Sequence, residues 1–176
     1  AEEGRTLACG LAAMGFRRGA HVAIIGDNRP RLYWAMTAAQ SLGGVPVPLY
    51  QDSVAQEMIY VMHDGDIAFA IVEDQEQVDK MLEIQSACPA LKNIIYDDPR
   101  GLRNYAEAGL AALDALIEAG RAANASKPSL FDEQVAATLA AAERRGAVPT
   151  TLLRRRRRWL QQKQRGRRRD IHERTS

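Results

Sequence analysis

The sequence has 176 residues, of which 46% are hydrophobic and 26% charged, the balance of an ordinary globular domain with one sizeable core. It contains no run of about 18 apolar residues, which excludes a transmembrane helix. No signal peptide opens the sequence, so we expect a cytoplasmic protein. Cys9 and Cys88 form no CxxC pair, and both are expected to be reduced, partly buried thiols.

The formal net charge of +2 conceals a sharp asymmetry between two parts of the chain. Residues 1–143 carry 11 basic and 20 acidic side chains, whereas residues 144–176 carry 13 basic and 2 acidic side chains. Such an abrupt change marks a boundary. We therefore predict a partial α/β domain over residues 1–143 and an arginine-rich tail, disordered or helical, over residues 144–176.

The first predicted elements are a helix, a strand and a second helix. Apolar positions recur at helical spacing over residues 6–14, and glycines end this helix. The chain begins inside it without methionine, which is typical of a fragment. The β-branched run HVAII at residues 21–25 predicts a buried strand. Pro30 is suited to the first turn of the next helix, with Asp27 or Asn28 as its N-cap.

The second predicted strand is VPVPL at residues 45–49, in which Pro46 and Pro48 lie two residues apart. Because the direction of the backbone groups alternates along a strand, both missing N–H groups fall along one side of it. This pattern predicts that the strand lies at the edge of its sheet. Ser53 is the predicted N-cap of the helix that follows.

Further strands and helices continue the same alternation. IAFAIVED at residues 67–74 and NIIYD at residues 93–97 predict strands, and the helices beside them carry inward-facing methionines at positions 58, 62 and 81. Near-continuous apolar strands that alternate with amphipathic helices predict an α/β fold. We expect an incomplete parallel sheet with flanking helices, wound right-handedly.

Beyond Asp98 the pattern weakens. Residues 110–117 have apolar positions at helical spacing and predict a short helix. Residues 122–129 are interpreted as a linker, and residues 131–139 as another helix. Neither strand nor helix periodicity persists after Ala140.

The stretch from Gly15 to Asp74 carries a set of motifs in a particular order. GFRRGA precedes the strand HVAII, GDNRP opens the next helix, GGVPVPLY follows that helix, and IVED ends a later strand. With LFDEQVA at residues 130–136, these motifs resemble the opening region of AMP-forming acyl-CoA ligases, most closely that of bacterial long-chain fatty acyl-CoA synthetases. The resemblance covers residues 4–137. Ala20 departs from it, because the family usually has aspartate there.

The resemblance implies the N-terminal subdomain of an adenylate-forming enzyme. Such enzymes use ATP and Mg²⁺ to convert a fatty acid into an acyl-adenylate and pyrophosphate, and coenzyme A then takes the acyl group. The family's phosphate-binding loop, similar to YTSGTTGKPKG, is expected near residue 150, with a catalytic lysine much farther along. Residues 150–162 instead read TTLLRRRRRWLQQ. The resemblance therefore implies that this chain is inactive by itself.

Three local patterns are candidate ligand sites, and we interpret each as structural. Residues 26–28 follow a strand but lack the glycines of GxGxxG, and they indicate a turn into a helix. HDGD at residues 63–66 is typical of a helix end followed by a turn. The other two histidines are His21 and His172, and no metal-ligand spacing links them to His63 or to each other.

Two acidic pairs, Glu73-Asp74 and Asp97-Asp98, each follow a predicted strand. The carboxyl ends of parallel strands are where α/β sheets bind ligands, so the position of these acids is a weak indication of a ligand site. Acids in surface loops give the same pattern. We therefore assign no catalytic, cofactor-binding or metal-binding residue in this chain, and expect ATP, Mg²⁺ and coenzyme A only in full-length enzymes of the family.

The tail from Arg154 to Arg169 contains five consecutive arginines and Trp159. Polybasic segments bind the phosphate backbones of nucleic acids or anionic membranes, so a small α/β protein with a nucleic-acid-binding tail is the alternative function. The favoured interpretation is a shift of the reading frame between residues 137 and 150. The resemblance, the charge balance and the periodicity all change there, and a shifted G+C-rich frame yields alanine- and arginine-rich sequence.

Overall fold

A computed structural model describes residues 2–146. In this part of the chain, four helices alternate with four strands, and a fifth strand and a final pair of helices follow. The elements are α1 (Glu2–Ala13), β1 (His21–Ile25), α2 (Pro30–Ser41), β2 (Val45–Leu49), α3 (Ala55–Asp64), β3 (Phe69–Val72), α4 (Gln75–Ile84), β4 (Asn93–Tyr96), β5 (Leu110–Ala112), α5 (Leu113–Ser126) and α6 (Leu130–Arg144).

The strands form one parallel sheet in the order β2-β1-β3-β4-β5. Val22 is opposite Pro46 on one side and Phe69 on the other, which fixes the register of the central strands. The predicted α/β fold with a parallel sheet and flanking helices is confirmed. Four of the strands begin within two residues of the positions predicted from the sequence.

Strand β2 lies at the edge of this sheet, as its prolines predict. The backbone N–H of Val45 donates to the carbonyl of Ala20 at 2.9 Å, so the donors of β2 that alternate with the prolines face β1. Pro46 and Pro48 therefore turn their nitrogens towards the open side. A proline there costs no ladder hydrogen bond, because no strand within residues 2–146 is paired with that side.

Side chains of the strands alternate between two apolar cores, one on each face of the sheet. On what we call the first face, Ile24 and Ile71 pack with side chains of α1, α2 and α5. On the second face, Ile25 and Val72 pack with α3, α4 and the loop between β4 and β5. Cys9 and Cys88 are buried free thiols, and burial raises the pKa of both.

Helices α1 and α5 approach so closely that their backbones touch. A Cβ atom added to Gly120 would clash with the carbonyl oxygen of Thr6, and one added to Gly10 would clash with the carbonyl oxygen of Leu116. Glycine at these two positions therefore sets the spacing of the two helices on the first face. This close approach holds α5 against α1.

The predicted N-caps of α2 and α3 are wrong. Arg29 occupies the N-cap of α2, and no side chain caps the helix. The Asp27 carboxylate instead accepts from the side-chain amide of Gln51 at 2.8 Å. The Asn28 amide oxygen accepts from the hydroxyl of a tyrosine one turn into the helix at 2.7 Å. For α3 the N-cap is Val54, one residue beyond the predicted Ser53.

Two predictions beyond Asp98 are also wrong. Residues 110–112 form strand β5 instead of the start of a helix, because Ile94 N–H donates to the Gly109 carbonyl at 2.9 Å and pairs this segment with β4. The expected linker over residues 122–129 is largely helical, since α5 continues to Ser126. The helix predicted over residues 131–139 is confirmed as α6.

Contacts between Cα atoms divide the chain into two units, residues 1–138 and residues 139–176. The first contains the sheet and its two cores. Of the second, the structure describes residues 139–146, and the tail from residue 147 onwards lies outside the described residues. None of the described helices is long and apolar enough to cross a membrane.

Candidate functional site at the carboxyl edge of the sheet

The strand order places a topological switch point between β1 and β3. In the order 2-1-3-4-5, ligands bind in the crevice outside the carboxyl ends of these two strands. Gly26 and Asp27 follow β1, Glu73 follows β3, and Asp97 follows β4. The structure therefore brings the acids predicted after β3 and β4 to the edge where a ligand is expected.

Glu73 fills the crevice at the switch point. Its side-chain carboxylate accepts from the backbone N–H of Asp27 at 2.5 Å and pairs with the Arg29 guanidinium at 2.5 Å. The residue is only 6% exposed. Its backbone N–H donates to the carbonyl of Ile25 at 2.9 Å, which extends the pairing of β1 and β3 one residue past the end of β3. Glu73 is thus held by backbone and side-chain contacts alike.

Asp97, after the next strand, is paired with Arg31. The guanidinium of Arg31 lies 3.0 Å from the Asp97 carboxylate and also contacts Asp114 at the start of α5. Burial raises the pKa of Asp97, and the attraction of Arg31, then of Arg29, opposes this without overcoming it. Arg29 and Arg31, on either side of Pro30, therefore each bind a carboxylate that follows a neighbouring strand.

The second member of each acidic pair has a local role. Asp74 is the N-cap of α4, and its carboxylate accepts from the backbone N–H of Gln77 at 3.3 Å. Asp98 accepts from the backbone N–H and the guanidinium of Arg100, which lowers the pKa of Asp98 to about 2. All four acids predicted at this edge are present there, and each is bonded within the chain.

The arginine partners were missed at the sequence level. The available signal was the RPR segment around Pro30, which follows one strand directly while the acids follow two others. Only the strand order brings the segment and the acids to one place. The interpretation of residues 26–28 as a turn is confirmed, although neither Asp27 nor Asn28 caps the helix.

A small cavity lies beside the switch point, between α2 and the ends of β1 and β2. Its volume is about 180 Å³, and its lining includes Asp27, Tyr33, Met36 and Leu49. Sites for cofactors and drug-sized ligands generally measure about 300–1,000 Å³, so this cavity is too small for a nucleotide.

A larger cavity of about 810 Å³ lies between α1, α5 and the start of α6. Arg5 at its wall donates to the Asn124 side chain at 3.2 Å and to the Pro128 carbonyl at 2.8 Å. Its guanidinium carbon also lies 5.1 Å from the centre of the Phe131 ring. Because its guanidinium is bonded to neighbours in the chain, Arg5 ties these helices together.

The structure describes two of the three histidines. The Nδ1 atom of His21 is 2.5 Å from the Gly65 carbonyl oxygen, which links the start of β1 to the turn before β3. His63 is exposed in the last turn of α3, and Asp66 has φ of +47° in the turn that follows. His172 lies outside the described residues. Within residues 2–146, no group of three or more His, Cys, Asp or Glu side chains is arranged to hold a metal ion.

Comparison with known proteins connects this fold to a family of enzymes. The chain is 30% identical to the long-chain-fatty-acid–CoA ligase ACSBG1 of Rattus norvegicus over 118 residues, which cover 66% of this chain and 16% of that protein. It is also 30% identical to the long-chain-fatty-acid–CoA ligase FadD15 of Mycobacterium tuberculosis over 118 residues, 66% of this chain and 18% of that protein. The chain thus spans less than a fifth of these relatives.

Solved structures share the fold at lower sequence identity. The anthranilate CoA ligase AuaEII in complex with anthranoyl-AMP superposes with a TM-score of 0.58 at 19% identity, over 66% of this chain and 21% of that one. A putative long-chain-fatty-acid CoA ligase from Rhodopseudomonas palustris gives a TM-score of 0.56 at 19% identity, over 65% of this chain and 28% of that one. The model of the AMP-binding enzyme family matches residues 1–139, and the chain therefore belongs to the family of AMP-binding enzymes.

Proposed function

We propose that this chain is the N-terminal segment of an AMP-forming long-chain fatty acid–CoA ligase of the cytoplasm. The full-length enzyme would use ATP and Mg²⁺ to adenylate a fatty acid and would then transfer the acyl group to coenzyme A. The observation that carries this proposal is the family match over residues 1–139. The names of the relatives that are 30% identical favour long-chain fatty acids as the substrate class.

We propose further that the chain does not catalyse adenylation by itself. Transition-state charge in adenylation has to be stabilised by cationic groups and backbone N–H groups placed around the phosphates. In the described residues, Arg29 and Arg31 at the carboxyl edge are already paired with Glu73 and Asp97. The nearby cavity of about 180 Å³ is too small for ATP. The role of this segment is then to build one sheet of the larger enzyme.

Pyrophosphate release tests the absence of activity. The 176-residue chain is incubated with ATP, Mg²⁺, palmitate and coenzyme A, and FadD15 of M. tuberculosis is assayed in parallel as the positive control. We expect release from the chain to equal that of a blank without protein. Turnover clearly above this blank would show that the chain contains an adenylation site.

A chimera tests the assignment to long-chain ligases. Residues 1–139 replace the matched segment of FadD15, and palmitoyl-CoA formation is measured together with the melting temperature. We expect a folded chimera that still forms palmitoyl-CoA. A folded chimera without activity on any fatty acid would contradict the assignment, whereas activity on short or aromatic acids alone would move it to another substrate class.

The nucleotide sequence tests the proposal that the reading frame shifts. The family match ends at residue 139, just before the charge balance reverses at residue 144. Reading the gene in the other two frames after residue 137 should give a glycine- and threonine-rich stretch similar to YTSGTTG. If neither frame contains one, residues 144–176 are a real basic tail. Loss of an electrophoretic shift of DNA on their deletion would then support the alternative, nucleic-acid binding.

A further inference from the structure

We propose that the switch point is an anion-binding site whose ligand is the chain's own Glu73 carboxylate. Two donors converge on this carboxylate, one from the backbone and one from a side chain. The Asp27 N–H donates to Oε2 at 2.5 Å, and the Arg29 guanidinium lies 2.5 Å from Oε1. A backbone N–H beside a guanidinium at the carboxyl ends of parallel strands is the kind of donor set that binds a phosphate or another small oxyanion.

Gly26 allows the carboxylate to lie against the backbone. A Cβ atom added to Gly26 would be 2.5 Å from Glu73 Cβ and 2.8 Å from its Oε2. The φ of +152° at Gly26 is also a conformation that other residues rarely adopt. Glycine has this role in sheets that bind phosphate at the same position, because the anion has to approach the main chain closely. Here the approaching anion belongs to the protein.

Burial separates this contact from an ordinary surface ion pair. The Glu73 side chain is only 8% exposed, although that of its partner Arg29 is 46% exposed, whereas the carboxylate side chain of Asp132 in the pair with Arg5 is 70% exposed. An anion from solvent cannot reach the Asp27 N–H while Glu73 occupies the place. The inference is independent of the proposed ligase function, since it concerns only the residues at the switch point.

Removing the carboxylate tests the proposal, with inorganic phosphate as the probe. Glu73→Ala in the 176-residue chain leaves the two donors unpaired and frees space for one small oxyanion. We expect this variant to melt at a lower temperature than the wild type in chloride. About 10 mM phosphate, compared with chloride at equal ionic strength, should raise its melting temperature by about 3 °C or more. The wild type should respond by less than about 1 °C.

Three further variants serve as controls. Glu73→Gln keeps the space filled and should not respond to phosphate. Arg29→Met added to Glu73→Ala removes the guanidinium and should abolish most of the response. Asp98→Ala breaks the exposed pair with Arg100 and should respond no more than the wild type.

Each outcome decides for or against the site. If Glu73→Ala does not fold in chloride, the titration is repeated with Glu73→Ser, whose short polar side chain also leaves space for an oxyanion beside the Asp27 N–H. A selective rise in melting temperature, or recovery of the far-ultraviolet circular dichroism in phosphate, supports the site. The proposal is overturned if phosphate raises the melting temperature of the wild type equally, or if the rise persists when Arg29→Met is added. It is also overturned if neither Glu73→Ala nor Glu73→Ser responds to phosphate.

Discussion

The two faces of the sheet are covered by different means. On the first face, the backbones of α1 and α5 touch at Gly10 and Gly120. On the second face, α3 and α4 pack through long flexible side chains, including Met62 and Met81, which are fully buried. Backbone contact tolerates no added atom, whereas methionine side chains adapt to changes of shape. The first face should therefore be sensitive to added volume, and the second mainly to lost volume.

The largest effect is expected from removing volume on the second face. Met62→Ala leaves a cavity in a fully buried position and should lower the free energy of unfolding by about 2–5 kcal/mol. Met62→Leu keeps the volume and should cost less than about 1.5 kcal/mol. Urea unfolding followed by circular dichroism measures both. If Met62→Ala and Met62→Leu lost equal amounts of unfolding free energy, the second face would be as rigid as the first.

Adding volume on the first face is the matched test. Gly120→Ala places a methyl group against the Thr6 carbonyl and should cost about 1–3 kcal/mol, although alanine favours helix. Gly4→Ala is the control, because it lies in α1 with nothing within 4 Å and should stabilise by about 0.5–1 kcal/mol. If Gly120→Ala also stabilises the protein, the two helices are not in backbone contact.

Removing an arginine at the carboxyl edge should cost less than Met62→Ala and no more than Gly120→Ala. Arg31→Met leaves the nearly buried Asp97 without its cation and should cost about 1–3 kcal/mol. Arg100→Met is the control, because the Arg100 side chain is 85% exposed and solvent screens its pair with Asp98, so its cost should be smaller than that of Arg31→Met. Equal costs in urea unfolding would mean that burial does not distinguish the two pairs.

The smallest effects are expected in the pH dependence of the free energy of unfolding. The adjacent acids Asp97 and Asp98 should change it in opposite directions as the pH rises. The pKa of Asp97 is raised by burial, so its stabilising contribution is full below its ordinary pKa of 3.8 and is lost as the pH rises through the folded value. The free energy of unfolding of Asp97→Asn should therefore increase relative to that of the wild type as the pH rises. The pKa of Asp98 is lowered to about 2, so its contribution is present above 3.8 and is lost as the pH falls towards 2.

Measuring the unfolding free energy of Asp97→Asn and Asp98→Asn between pH 2 and pH 7 checks these signs. Asp98→Asn should be less stable than the wild type at neutral pH, and the difference should vanish at the acid end. If the unfolding free energies of the two variants changed with pH in the same way, burial would not be the cause of the shift at Asp97, or the pair with Arg100 the cause of the shift at Asp98.

The sequence predicts the elements whose pattern is strong. HVAII and VPVPL are strands at the predicted residues, and the prolines correctly indicate the edge position of the second. The strand at residues 110–112 was missed, because LAA is short and its leucine fits the helical spacing of the residues that follow. The end of α5 was missed because Gly120 and Asn124 favour a loop by themselves, and contact with α1 overrides that preference.

The candidate site was only partly predictable. The positions of Glu73 and Asp97 at the carboxyl edge follow from the alternation of strands and helices, which the sequence shows directly. Their partners do not, because the pairing of Glu73 with Arg29 requires β1 and β3 to be neighbours although β2 lies between them in the chain. Strand order is set by long-range packing and carries no local signal.

Nucleotide binding by the 176-residue chain tests the central claim, that this family member has no working nucleotide site of its own. ATP with Mg²⁺ is titrated to about 1 mM, the upper end of usual KM values, while amide resonances are followed by nuclear magnetic resonance. We predict no saturable shift, with the Asp27 and Glu73 amides unchanged. Saturable shifts of these two amides would contradict the claim and place a nucleotide at the switch point.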